Sequence, residues 1–75
     1  MIDNRLGYIR VSKGMSQLDL SKKCGISKHA ISEIELGKRE PKLKTAMLIS
    51  DALGCKIEDI FFISKKYWHM RTYVL

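Results

Sequence analysis

Lys28, His29, Ser32 and Glu33 are the side chains whose types and spacing suggest chemistry. With Ile31 and Ile34 turned inward at helical spacing, these four point outward from one short helix. A lysine there donates to O6 and N7 of guanine or to a phosphate, and a histidine donates or accepts according to its tautomer. A serine serves a base edge or a phosphate, and a carboxylate accepts from N4 of cytosine. The same four would also suit a solvated helix face, so the elements around them must decide. Catalysis is disfavoured. His29 and His69 fall on different elements, no carboxylate pair or Ser/His/Asp order is evident, and a chain of 75 residues leaves little room for a substrate pocket. The expectation is no enzyme, no cofactor and no small-molecule substrate. A zinc site from Cys24, Cys55 and the histidines would need both cysteines out of the core and is not expected.

The elements that position the four lie between Ser16 and Gly37. Ser16 stands at an N-cap position, with Asp19 three residues later able to complete a capping box. Leu20 and Cys24, four apart, share a face of the helix that follows. Gly25 supplies the left-handed geometry that ends this helix and turns the chain. Ile26 is expected at the buried corner, Ser27 caps a second helix, and Gly37 stops it after Leu36.

Ser16-Gln17, Cys24-Gly25-Ile26-Ser27, Ile31, Ile34-Glu35 and Gly37-Lys38-Arg39-x-Pro41 together resemble the helix-turn-helix domain of the phage Cro/repressor type, the XRE-like regulators. The resemblance covers roughly residues 4 to 61. It implies a second helix lying across a DNA backbone and a third entering the major groove, so that Ser27, Lys28, His29, Ser32 and Glu33 form the reading surface. It also implies that Gln17 bonds a phosphate while bracing the reader, at a helix N-terminus that itself favours anions. Lys38, Arg39, Lys42 and, beyond them, Lys44 are then expected along the other wall of the groove, positioning the protein without reading sequence. Arg10 is implied to pair with Glu35, largely buried. Leu18 departs from the pattern, which usually has an outward polar residue there, and reads as an isolated surface leucine or part of a contact patch.

Around this centre, Asp3 or Asn4 is expected to cap a first helix running to about Lys13, with Leu6 and Ile9 inward. Gly7 and Val11 make that helix mediocre in isolation. Met15 is expected to plug the core. After Pro41 a fourth helix runs from Leu43 to Leu53, with Ala46, Ile49 and Leu53 on one face, and a short fifth contains Ile57, Ile60 and Phe61. The fold class expected is all-α, a five-helix domain over residues 1–62, followed by a tail over 63–75.

That tail contains no acidic residue and is rich in aromatic and β-branched side chains. Its alternation favours a short strand pairing with its copy in a second protomer, through Phe62, Trp68, Met70, Tyr73 and Val74. The first residues of the chain are the one internal partner available, and a sixth helix or a disordered remnant are the alternatives. So short a chain buries only about 60% of the surface its unfolded form exposes, and dimerisation would offset that. The chain carries 14 Lys+Arg against 8 Asp+Glu, and nine of the basic residues lie between Arg10 and Lys44. One electropositive end suits a polyanion. With no signal peptide and no long apolar run, the cytoplasm is expected and a membrane is not. The reading that follows is a DNA-binding regulator, a homodimeric repressor on a near-palindromic operator. The alternative is a protein-interaction module on the same fold, such as an antitoxin or antirepressor.

Overall fold

Ser16 and Ser27 begin the two helices that the pattern around Gly25 predicts. In the computed structural model, which describes residues 2–63, α2 spans Gln17–Cys24 and α3 spans Lys28–Glu35. The Ser16 hydroxyl accepts from the Asp19 N–H at 3.0 Å and the Asp19 carboxylate accepts from the Ser16 N–H at 2.9 Å, a complete capping box. The Ser27 hydroxyl accepts from the Ala30 N–H at 3.1 Å. Gly25 ends α2 at φ 77°, a conformation that strains any residue with a side chain.

Three further helices complete the bundle: α1 over Leu6–Ser12, α4 over Leu43–Leu53 and α5 over Ile57–Ile60. Leu6, Leu20, Ile31, Ile34, Ile49 and Ile60 are fully buried, one or more from each helix, with α2 packed against both α3 and α4. Each such side chain contributes roughly 1.5–3 kcal/mol of apolar burial. Met15 and Ile26, expected inside the core, pack against this cluster but are only half-buried. Tyr8, Val11 and Leu18 face outward. Lys56 offers α5 no acceptor, so that helix has only half a capping box, the Asp59 carboxylate accepting from the Lys56 N–H at 3.3 Å.

The ends of the domain differ from the all-α expectation. Ile2–Asn4 form a strand, β1, and Phe61–Ile63 form β2, paired antiparallel with Ile2 opposite Ile63, Asp3 opposite Phe62 and Asn4 opposite Phe61. Asn4 still serves the start of α1 through its side chain although its backbone lies in β1, Asp3 does not, and Phe61 leaves α5 rather than extending it. The partner of the tail's first strand residues is the N-terminus of the same chain, not a second protomer. Phe62, expected at a dimer contact, is partly exposed on β2 with the Arg5 guanidinium 5.1 Å from its ring centre. The contacts expected of Trp68, Met70, Tyr73 and Val74 lie outside the described residues.

Asn4 joins the small sheet to the helices. Its Oδ1 accepts from the Leu6 N–H at 3.0 Å, satisfying an orphan donor of α1, and its Nδ2 donates to the Ile34 carbonyl at 2.8 Å near the end of α3. Asn4→Ala removes both bonds, leaving the Leu6 N–H without that acceptor while the Ile34 carbonyl keeps the Gly37 N–H at 3.0 Å. A loss of about 1–3 kcal/mol is expected, read as a lower urea midpoint at unchanged slope.

Candidate nucleic-acid interface

The Glu35 carboxylate, at the C-terminal end of α3, is where three segments meet. Its Oε2 accepts from Arg10 Nε at 2.7 Å, and its Oε1 accepts from Arg10 Nη2 at 3.2 Å and from Gln17 Nε2 at 3.1 Å. The remaining face of the guanidinium donates through Nη1 to the Met15 carbonyl at 2.7 Å. The Arg10 and Glu35 side chains are 13% and 12% exposed, so the fork-on-fork pair forms where water screens it poorly. Hydrogen bonding to Glu35 raises the pKa of Arg10, which keeps its charge. Loss of either partner would leave an uncompensated charge, at a cost of about 3–5 kcal/mol.

Gly7 packs beside this carboxylate. A Cβ there would sit 3.1 Å from Glu35 Oε1 and 3.4 Å from Cδ, so the carboxylate would have to give by a few tenths of an ångström. The residue that weakens α1 as an isolated helix leaves the ion pair uncrowded.

Gln17 is held at the first position of α2, half-buried, with one amide hydrogen on Glu35. Its second amide hydrogen and the unclaimed backbone N–H groups of Gln17 and Leu18 are donors at the positive end of the helix. Asp19 does not oppose them freely. The Ser16 backbone N–H, and then the Ser16 hydroxyl, hold its carboxyl below the ordinary carboxylate range and turn it onto the cap.

Lys28, Ser32 and Glu35 recur at four and three residues and so form one stripe along α3, whose far end Gln17 grips. Lys28 lies seven residues from Glu35, about 10 Å along the axis. Lys28 is exposed and makes no ion pair among the described residues, and Ser32 is half-buried beside it. His29 and Glu33 form the neighbouring stripe. The imidazole is 80% exposed, and its Nε2 is 3.5 Å from Glu33 Oε1.

Two expected contacts change character. Glu33 Oε1, shielded from solvent, is closed by Arg39 Nη2 as an ion pair without an aligned hydrogen bond. Glu33 therefore holds the loop after α3 before it meets anything else, and Arg39 is already engaged. Lys44 does not share the loop with Lys38 and Lys42. It lies on α4, where it lines a groove with Leu43, Met47, Leu48 and Asp51. Ser27, Arg39 and Lys42 do come together, lining one groove between the α2–α3 turn and the loop. That loop is also fastened at Glu40, whose Oε1 accepts from the Ile2 N–H at 3.1 Å. The sequence marks neither tie: Arg39 meets Glu33 across the end of α3, outside helical spacing, and Glu40 meets Ile2 at a separation of 38 residues.

No helix among the described residues is long and apolar enough to cross a membrane. A family model described as helix-turn-helix matches residues 6–60. The chain is 48% identical to an uncharacterised HTH-type transcriptional regulator of Methanocaldococcus jannaschii, over 77% of this chain and 88% of that one. It is 37% identical to another of Archaeoglobus fulgidus, over 89% and 96%. A prophage-derived HTH-type regulator of Bacillus subtilis is 41% identical over 72% of this chain and 50% of its own.

Removing the charge of Glu33 releases Arg39. Glu33→Gln is expected to raise affinity for a random-sequence duplex and to steepen the fall of log K with log salt by about one phosphate contact, measured by fluorescence anisotropy across a salt series.

Proposed function

This chain belongs to the helix-turn-helix family, and we propose that it is a sequence-specific regulator of transcription, a homodimer that represses by occupying a near-palindromic operator in double-stranded DNA. The observation that carries this reading is the grip of Gln17 on Glu35, which ties the N-terminus of α2 to α3 while Lys28 and His29 stay exposed. In this arrangement the Gln17 amide and the first N–H groups of α2 take a phosphate on one wall of the major groove. Lys28 and His29 meet base edges, and Ser32 and the Ser27 hydroxyl reach either an edge or the adjacent phosphate.

Lys38 and Lys42 take the phosphates of the opposite wall, joined by Arg39 when it leaves Glu33. Glu33 acts mainly through Arg39 and His29 and reads cytosine only if that pair opens. Two such surfaces related by a two-fold axis would enter successive major grooves roughly 34 Å apart, which is why the operator is expected to be symmetric. Occupying a promoter is sufficient for repression, and the protein would work among the cytoplasmic pool of DNA without a cofactor.

Selection of bound duplexes from a random pool tests the reading, with a two-fold symmetric consensus expected. In the same assay Gln17→Ala should weaken binding to every duplex alike. His29→Ala should change the preferred base at one position of each half-site, by about 1–3 kcal/mol. Variants that keep wild-type affinity and preference would refute the groove assignment.

A further inference from the structure

We propose that the outer face of α4 is where a second copy of this chain docks, its own α4 running antiparallel across a two-fold axis that passes between Met47 and Leu48. The proposal rests on the homodimeric reading above and supplies its interface. Leu43, Met47 and Leu48 are 72%, 53% and 38% exposed, and together with Lys44, Asp51, Cys55 and Ile57 they line an open groove along α4 and the start of α5. The exposed apolar side chains form one stripe rimmed by Lys44 and Asp51.

What selects a second copy as its occupant is the order of the charges. Lys44, Met47, Leu48 and Asp51 follow one another at three, one and three residues, so they form a single stripe two turns long. The stripe is balanced about its midpoint. When an identical helix is laid antiparallel on it, Met47 faces Leu48 of the other copy and Lys44 faces Asp51 of the other copy, at both ends of the contact. A two-fold contact requires this self-matching, because residue i meets j while j meets i. A partner of a single charge would be attracted at one end and repelled at the other. Neither Lys44 nor Asp51 makes an ion pair among the described residues. Asp51 also borders the shallow groove lined by Lys13 and Lys23, but forms no ion pair with either. Both charges are exposed and free to pair across the axis.

A contact centred on one helix face lies toward the small end of specific interfaces, so the dimer in free solution is expected to dissociate in the micromolar range. Binding two half-sites at once would then strengthen it, each copy raising the effective concentration of the other.

Charge reversal in the full chain, followed by sedimentation equilibrium without DNA, tests the inference. Asp51→Lys and Lys44→Glu should each weaken the dimer at least tenfold, by setting like charges opposite one another. The double variant Lys44→Glu/Asp51→Lys should return the dissociation constant to within about threefold of the wild type. Met47→Asp should leave a monomer. All these positions are exposed, and circular dichroism checks that the fold is kept.

Single reversals without effect, a double variant as weak as the singles, or a wild-type chain that stays monomeric at several hundred micromolar would each overturn the proposal. The first of these would place the contact elsewhere, with the residues after Ile63 the next candidates. Affinity for a single half-site duplex reads the regulator assignment separately. Asp51→Lys and Met47→Asp should leave it unchanged, and a wild-type chain that dimerises as described without binding the half-site would overturn the regulator reading alone.

Discussion

One carboxylate governs the geometry of this domain. Glu35 receives two bonds from Arg10 and one from Gln17, and Arg10 in turn reaches the Met15 carbonyl. The last turn of α3, the body of α1, the turn between α1 and α2 and the first residue of α2 are thereby held to one another. Apolar packing alone would bring these helices together, but it is indifferent to small rotations. A bidentate ion pair, directional and poorly screened at 12–13% exposure, is not. Its worth lies less in net stability, where desolvation offsets much of the attraction, than in fixing one arrangement of the helices. Gly7 belongs to the same constraint, because a side chain at that position would crowd the carboxylate.

How much of this was legible in the sequence follows the range of the interactions. Ser16 with Asp19, Ser27 and Gly25 act within a few residues, so the boundaries of α2 and α3 could be read directly. Arg10 and Glu35 are far apart in sequence, and only the resemblance to a known family joined them. Where neither route was open the reading failed. Strands of three residues are too short for alternation to declare itself, so the sequence shows the cap that Asn4 gives α1 but not the strand its backbone forms, and it places Phe61 in a helix. The contacts of Asn4 with Ile34, Glu40 with Ile2 and Arg39 with Glu33 are set by tertiary placement alone. A favourable pair of side-chain types, without a spacing rule, predicts nothing. Of the strand expected toward the C-terminus only the residues up to Ile63 are described, and Phe61–Ile63 pair with the chain's own N-terminus.

The basic surplus is distributed by the fold rather than spread over it. Lys28 is left open on α3, Lys38 and Lys42 flank the loop, and Arg39 is held in reserve by Glu33. Lys44 is removed from this set by the turn of α4 and stands instead with Asp51 beside exposed leucine and methionine. The two surfaces differ in kind. The α2–α3 surface presents hydrogen-bond donors, and in the proposed function it would gain affinity for DNA from displaced counterions. The α4 stripe is apolar with balanced charges at its ends, which suits a copy of itself and gives nothing to phosphate. A regulator that binds DNA as a symmetric pair needs both, and the proposed division assigns each to separate helices.

In the proposed function the tie at Glu35 presents Gln17 and the N-terminal half of α3 to DNA. Amide chemical shifts of the isotope-labelled protein, followed while a short duplex is added at low salt, test this. The amides of Gln17, Leu18, Lys28 and His29 and of the loop from Lys38 to Lys42 are expected to move together, while those of β1 and β2 stay in place. Shifts gathered on the outer face of α4 or on the small sheet, with Gln17 and α3 unmoved, would contradict it.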